Sequence, residues 1–140
     1  MLKKKTDDLL SDLKADCNLD RYLKENEPHL VRDGIGAYLD RICAERGLKK
    51  SHVLKRAEIN EIYGYQLFSG SRLPSRDKLI ALCIGIGLNA EETDQALKYA
   101  GEAPLYARSR RDSILISGIL NGRSVMEING LLYDHGEKLL

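Results

Sequence analysis

The stretch from Lys49 to Pro74, KKSHVLKRAEINEIYGYQLFSGSRLP, constrains the fold of this chain more than any other part of its sequence. Its residue order predicts two short helices, 51–57 and 61–68, joined by a tight turn. Ser51 is expected to cap the first helix by accepting hydrogen bonds from the free N–H groups of its first turn. Gly70, which adopts positive φ without steric strain, is expected to end the second helix.

Apolar side chains in this stretch recur where two short helices must pack on each other and on the rest of a domain. They are Val53, Ala57, Ile59 and Leu67. Asn60, at the end of the turn, is a second candidate cap. The pattern predicts a helix-turn-helix, a unit whose second helix enters the major groove in many proteins that bind DNA.

Further helices are predicted on both sides of this unit. Apolar residues recur at i, i+3, i+4, i+7 and i+8 from Ile35 to Cys43, which predicts a buried helix face within 33–46. Capping residues open two more helices, 75–86 and 89–100. No segment alternates apolar and polar residues over a useful length of strand, so the predicted fold class is all-α.

The order helix, helix-turn-helix, SGSRLPS and helix resembles the Cro/lambda-repressor-like (XRE-type) family of bacterial helix-turn-helix proteins. The resemblance covers roughly residues 31–101. Its sharpest element is Gly70 followed by Pro74-Ser75, the linker that this family uses after its recognition helix. The stretch YGYQLFSGSRLPSRDKL is similar to a branch of the family whose members are roughly as long as this chain. The resemblance implies a five-helix, lambda-repressor-like domain.

Three positions depart from the family pattern. The family usually has Ala where this chain has Leu54, and a branched apolar residue where it has Gly64. These two positions face each other between the paired helices, so we interpret them as a volume-conserving exchange, which cores tolerate best. Gly64 still costs helix propensity, about 1 kcal/mol relative to Ala. Phe68 stands where the family often carries Glu.

The family reads DNA with the start and the exposed face of its recognition helix. Carried over by position, the expected base contacts are Asn60, Glu61, Ile62, Tyr65, Gln66 and Ser69. Gln66 would pair with the N6 and N7 edge of adenine, Glu61 would accept from cytosine N4, and Ile62 would contact a thymine methyl. Phosphate contacts are expected at helix ends and in the following loop, from Lys49, Lys50, Ser51, Arg72 and Arg76.

The charge distribution favours a nucleic-acid partner in only one part of the chain. The net charge of the chain is +1, whereas residues 49–78 carry seven basic and three acidic residues, a net charge of +4. The predicted recognition helix itself contains no Lys or Arg. Tyr63 is expected to be a core aromatic, and Tyr65 is either a core or an interface residue.

The chain is predicted to have three parts: an N-terminal helical arm, 1–30; the helix-turn-helix domain, 31–101; and a C-terminal αα-hairpin, 102–140. The arm carries a leucine stripe that favours docking on itself or on a partner chain. The hairpin has two apolar faces, within 108–120 and 124–134, which must be covered by the domain or by a second subunit.

The sequence does not favour an enzyme. His29, His52 and His135 lie far apart in polar contexts and are expected at the surface. No P-loop, dinucleotide fingerprint or HExxH motif occurs, and we expect no cofactor. The basic run at 108–112, RSRRD, is more typical of a surface ion-pair patch than of a phosphate site, although it would join the DNA-facing surface if the hairpin folded back.

The three cysteines and the lack of a long apolar run predict a cytoplasmic protein. Cys17, Cys43 and Cys83 have no metal-ligand spacing, and their odd number argues against a disulfide framework. Cys43 and Cys83 are expected to be small buried hydrophobes. No apolar run approaches the length of a membrane span, and the basic start of the chain does not resemble a signal peptide.

The sequence therefore predicts a non-enzymatic, sequence-specific transcriptional regulator that reads the major groove of double-stranded DNA with helix 61–68. A homodimer would read two half-sites about one helical turn apart. The alternative is an adaptor that keeps the helix-turn-helix scaffold but binds another protein. The near-neutral charge, the tyrosines of the second helix and the leucine-rich helical additions favour that alternative.

Overall fold

The structure of the protein, a computed structural model, describes residues 5–15, 18–27 and 34–140. Within these ranges every regular element is a helix and no strand occurs, so the predicted all-α class is confirmed. The chain divides into two compact units, Met1–Arg32 and Asp33–Leu140.

Nine helices occur in the described residues. They are α1 (Thr6–Ala15), α2 (Leu19–Asn26), α3 (Ile35–Glu45), α4 (Lys50–Arg56), α5 (Glu61–Ser69), α6 (Arg76–Ile86), α7 (Ala90–Tyr99), α8 (Arg110–Leu120) and α9 (Val125–Asp134). The end of α3 and both ends of α4 to α9 agree with the predicted ends within two residues. The predicted start of α3 at Asp33 and the calls on Cys17 and His29 lie outside the described residues.

The first unit contains α1 and α2, which contact each other. Asn18 caps α2, because its side-chain oxygen accepts from the Arg21 amide at 2.9 Å. Leu9 and Leu13 of the predicted stripe are half-buried, whereas Leu10 is exposed.

The second unit is built around one hydrophobic core that includes the C-terminal hairpin. The hairpin contributes four buried residues to the same cluster as α3 to α7: Leu115, Val125, Ile128 and Leu132. Helix α9 packs on α6, and α8 packs on α7. The domain itself therefore covers these buried positions of the hairpin.

Most helix starts follow the predicted caps. The side-chain oxygens of Asn60 and Ser75 accept from the amides of Tyr63 and Lys78, both at 3.2 Å. Capping boxes begin at Asn89 and Ser124, as the residue types predict, and Gly70 ends α5 with φ 85°.

The prediction that Ser51 caps α4 is wrong. Helix α4 begins one residue earlier, with Lys49 in the cap position and no side-chain cap bond, so Ser51 lies inside the first turn. The backbone before it decides this register, because Gly47 turns the chain at φ 63° and the Leu48 amide donates to the Cys43 carbonyl at 2.9 Å. The way the backbone leaves α3 therefore outweighs the capping preference of Ser51.

Leu54 and Gly64 face each other between α4 and α5, as predicted. A Cβ added to Gly64 would lie 2.8 Å from Cγ of Leu54 and closer still to both of its methyl groups. Leu54 is fully buried, so it has little room to retreat. Because Leu54 on α4 is large, the facing position on α5 must be occupied by a residue without a side chain, Gly64.

Two crossed ion pairs join α6 to α8. The guanidinium of Arg76 donates to both carboxylate oxygens of Asp112 at 3.1 and 2.9 Å, and that of Arg111 donates to both oxygens of Asp77 at 2.8 and 3.1 Å. Paired bonds of this kind fix orientation as well as distance. The first turn of α6 is therefore held against the start of the hairpin.

Asp112 is the most buried of the four charged side chains in this arrangement. Burial raises the pKa of Asp112, but hydrogen bonds from the Arg76 guanidinium and the Tyr106 amide outweigh burial and hold the pKa below its ordinary value of 3.8. Burial also raises the pKa of the Cys83 thiol to about 12, and both Cys43 and Cys83 are buried as predicted.

We predict strong coupling between Leu54 and Gly64. Gly64→Val should lower the free energy of unfolding by about 1–3 kcal/mol through overpacking, and Leu54→Ala by about 2–5 kcal/mol through a cavity. In the double variant the valine fills the space that the leucine leaves, so the loss should fall short of the sum by about 0.5–3 kcal/mol in urea unfolding. Gly64→Val combined with Leu132→Ala, a buried residue of α9, should be additive. Additive losses in both pairs would contradict the packing described.

We predict that Asp112 makes stability depend on pH. Since its folded-state pKa lies below its unfolded-state pKa, its contribution is complete above the unfolded value and is lost as the pH falls through the folded value. Asp112→Asn should cost about 2–3 kcal/mol at pH 7, because it leaves the Arg76 guanidinium without a charged acceptor. The variant should then lose less further stability than the wild type between pH 5 and pH 2. Asp134→Asn, at an exposed carboxylate, is the control. Equal acid sensitivity of wild type and Asp112→Asn would contradict this account.

Candidate nucleic-acid interface

Helix α5 presents one face to the core and the other to solvent. Its inward residues, Gly64, Leu67 and Phe68, are buried. On the outer face, Ile62 is 74% exposed and Tyr65 is 43% exposed. A helix with exposed apolar and aromatic side chains on its outer face has a surface suited to a partner rather than to solvent alone.

The residues predicted to contact bases share this outer face and its two ends. Five of the six are exposed and Gln66 is half-buried: Asn60, Glu61, Ile62, Tyr65, Gln66 and Ser69. Asn60 also has a structural role, because its side chain caps the helix. Tyr63 is half-buried and packs on the core, in agreement with the expected core role.

Contacts at both ends hold α5 in place. The backbone of Gly36 in α3 approaches the last turn so closely that an added Cβ would lie 2.7 Å from the Phe68 carbonyl oxygen. Gly70 ends the helix, and the Arg72 amide then donates to the Gln66 carbonyl at 3.2 Å. With Asn60 capping the other end, the outer face is presented by a fixed element.

Short-range hydrogen bonds organise the side chains of the outer face. The Tyr65 hydroxyl donates to Oε1 of Glu61 at 3.2 Å, one helical turn away. The Ser69 hydroxyl donates to the Gln66 carbonyl at 3.2 Å. The Glu61 carboxylate thus lies in the first turn of α5 with the Tyr65 phenol beside it.

The cations predicted for phosphate contacts differ in their availability. Lys49 is exposed, and the guanidinium of Arg72 lies 5.8 Å from the centre of the Tyr63 ring. Lys50 is shared with the protein, since its Nζ lies 3.0 Å from Asp40 Oδ1 and 5.6 Å from the centre of the Phe68 ring. Phe68, where the family often has Glu, therefore still contacts a cation.

Arg76 is engaged in hydrogen bonds to other groups of the protein. Besides Asp112, its guanidinium donates to the carbonyl oxygens of Ala103 and Pro104 at 2.9 and 3.1 Å. We therefore assign Arg76 to holding the 103–109 loop and leave it out of the phosphate-contacting set. Ser51 is half-buried in the first turn of α4, beside the exposed Lys49.

The RSRRD run is mostly taken up by ion pairs, in line with the surface-patch interpretation. Arg110 pairs with Glu137 at 2.9 Å and Arg111 with Asp77 at 2.8 Å. Arg108 is exposed, and no hydrogen bond or ion pair joins its side chain to the described part of the chain. The sequence contains three similar arginines in this run, and nothing in it indicates which one is left available to bind a partner.

The described residues include no set of three or more His, Cys, Asp or Glu side chains that could hold a metal ion. His52 and His135 are exposed. None of the helices in these ranges is long and apolar enough to cross a membrane.

Neither the protein-family models, nor the curated proteins, nor the solved structures give a significant match to this chain. The likeness to the Cro/lambda-repressor-like family therefore rests on the sequence pattern, and a functional assignment must be argued from the α5 surface itself.

Proposed function

We propose that the protein is a sequence-specific DNA-binding transcriptional regulator of the Cro/lambda-repressor-like type, acting in the cytoplasm. The proposal rests on one observation: α5 is fixed at both ends and turns a row of exposed, chemically diverse side chains to solvent. In this proposal α3 to α7 form the five-helix domain, α4 and α5 form its helix-turn-helix, and α5 is the recognition helix.

The mechanism assigns base reading to α5. Gln66 presents the amide that pairs bidentately with adenine, and such a pair discriminates by about 1–3 kcal/mol against the wrong base. Ile62 supplies an apolar contact for a thymine methyl. The Glu61 carboxylate, held by Tyr65, is an acceptor for cytosine N4. Glu61 also repels phosphate, which weakens binding to all DNA. Only sites with a cytosine at this position offset that repulsion, so Glu61 favours such sites over random DNA.

Phosphate contacts come from the ends of the helix pair. Lys49 and Arg72 are the available cations, and Lys50 joins them when a phosphate competes with Asp40. These contacts set the register of α5 on the duplex without reading sequence. Since few cations remain available on one protomer, we further propose that a homodimer binds two half-sites and so combines two such surfaces.

A second candidate function is an adaptor that binds another protein through the same face. It is favoured by the exposed apolar side chains of Ile62 in α5 and of Leu73, 78% exposed, in the following linker, and by the lack of Lys and Arg in α5. Salt separates the two candidates. DNA binding through several phosphates must weaken steeply as salt rises, whereas an apolar protein interface should not.

We predict that α5 carries the specificity for DNA. A duplex should be selected from a randomised pool by the purified wild-type chain and its dissociation constant measured by fluorescence anisotropy. Gln66→Ala should weaken binding to that duplex about tenfold for each half-site, since it removes one bidentate base contact from each protomer, and Tyr65→Ala should also weaken it. Both variants should keep the thermal unfolding temperature of the wild type within a few degrees, because these side chains lie on the outer face.

Matched controls come from other helices of the same unit. Tyr133→Ala removes an exposed tyrosine from α9, and Gln95→Ala removes a half-buried glutamine from α7. Both should bind the duplex as the wild type does. If Gln66→Ala and Tyr65→Ala bind as tightly as these controls, α5 is not the reading helix. If no duplex is enriched from the pool, the adaptor becomes the better proposal.

A further inference from the structure

The loop between α7 and α8, residues 103–109, lies against the first turn of α6. Two carbonyl groups of this loop accept hydrogen bonds from Arg76, the first residue of α6. Residue 75, immediately before it, ends the 70–75 linker that leads from α5. The loop is therefore separated from the end of that linker by one arginine side chain, and it lies beside the same end of α6.

Hydrogen bonds fix the shape of this loop. The Leu105 amide donates to Oδ1 of Asp94 at 2.9 Å, and the Tyr106 amide donates to Oδ2 of Asp112 at 2.9 Å. The Ala107 carbonyl accepts from the Ser113 hydroxyl at 2.7 Å. Together with the Arg76 contacts, these bonds hold five consecutive residues, 103–107. Arg108 thus projects from a preorganised backbone rather than from a loose segment.

Arg108 is the arginine of this region whose charge is available to a partner. Arg76, Arg110 and Arg111 are each paired with a carboxylate. Of the two carboxylates that bind loop amides, Asp112 is also bound by Arg76, and Asp94 is bound by the Leu105 amide. An exposed guanidinium with no acid to neutralise it remains at position 108 within the described ranges.

We propose that Arg108 binds a backbone phosphate of the DNA duplex beyond the bases read by α5. The inference rests on the proposed function and extends the DNA-contacting surface from α5, through the 70–75 linker and Arg72, onto the C-terminal hairpin. A guanidinium matches the geometry of a phosphate and releases a condensed counterion when it binds. The contact is blind to sequence, and it lengthens the protected site on the side that carries the hairpin.

The charge-removing variant Arg108→Gln tests this inference in the full chain. At equilibrium with the selected duplex, it should reduce the slope of log K against log salt by about 0.9 for each bound protomer, about 1.8 for the proposed homodimer, and weaken binding about eightfold per protomer at 0.1 M salt. Arg108→Lys keeps the charge and should recover most of the affinity. Hydroxyl-radical footprints should shorten on the hairpin side of each half-site for Arg108→Gln and remain full for Arg108→Lys.

Arg123→Gln is the matched control. Arg123 is also exposed, but it follows the other end of α8, an 11-residue helix that separates the two arginines by roughly 16 Å. Its removal changes the net charge equally and should leave the slope and the footprint unchanged. An equal loss in Arg108→Gln and Arg123→Gln, or no change in Arg108→Gln while the wild type binds, overturns the phosphate contact and leaves the proposed function standing. Absence of any duplex binding by the wild type overturns both.

Discussion

The contact between the Leu54 side chain and the bare backbone of Gly64 is the interaction on which the candidate interface depends. Because no Cβ separates the helices at this point, α4 and α5 approach closely, and Leu67 and Phe68 of α5 are buried. That approach decides which face of α5 remains outside. A larger residue at position 64 would shift or rotate the helix, since a packed core has no spare volume to absorb it.

A second set of contacts makes the C-terminal hairpin part of the body that presents α5. One arginine on α6 and one on α8 each bind an aspartate on the other helix, so the two elements are joined in both directions. The hairpin also completes the core through Leu115 and Ile128. Helix α5, the 70–75 linker and the 103–109 loop therefore belong to one compact unit, as the proposed contact of one duplex with all three requires.

The helices could be predicted from local sequence signals. The roles of individual side chains could not, where they depend on contacts between residues far apart in the chain. Caps and apolar spacing identified the helices because both act within a few residues. The facing of Leu54 and Gly64 was expected from the resemblance to the Cro/lambda-repressor-like family, and the structure has it. Ser51 was misplaced because the backbone that ends α3, not a side-chain cap, sets the start of α4. Arg76 resembled a phosphate ligand because its partner, Asp112, lies 36 residues away, a distance over which sequence patterns carry no pairing information.

The most direct test of the central claim is a map of amide chemical-shift changes on adding the selected duplex to the isotope-labelled protein. The account predicts the largest changes at 60–72, covering α5 and the start of the linker, with further changes at 105–109. Amides around Arg123, at the opposite end of α8, should remain unchanged. Changes confined to α1 and α2, or to the 121–124 turn, would contradict the docking of α5 on DNA.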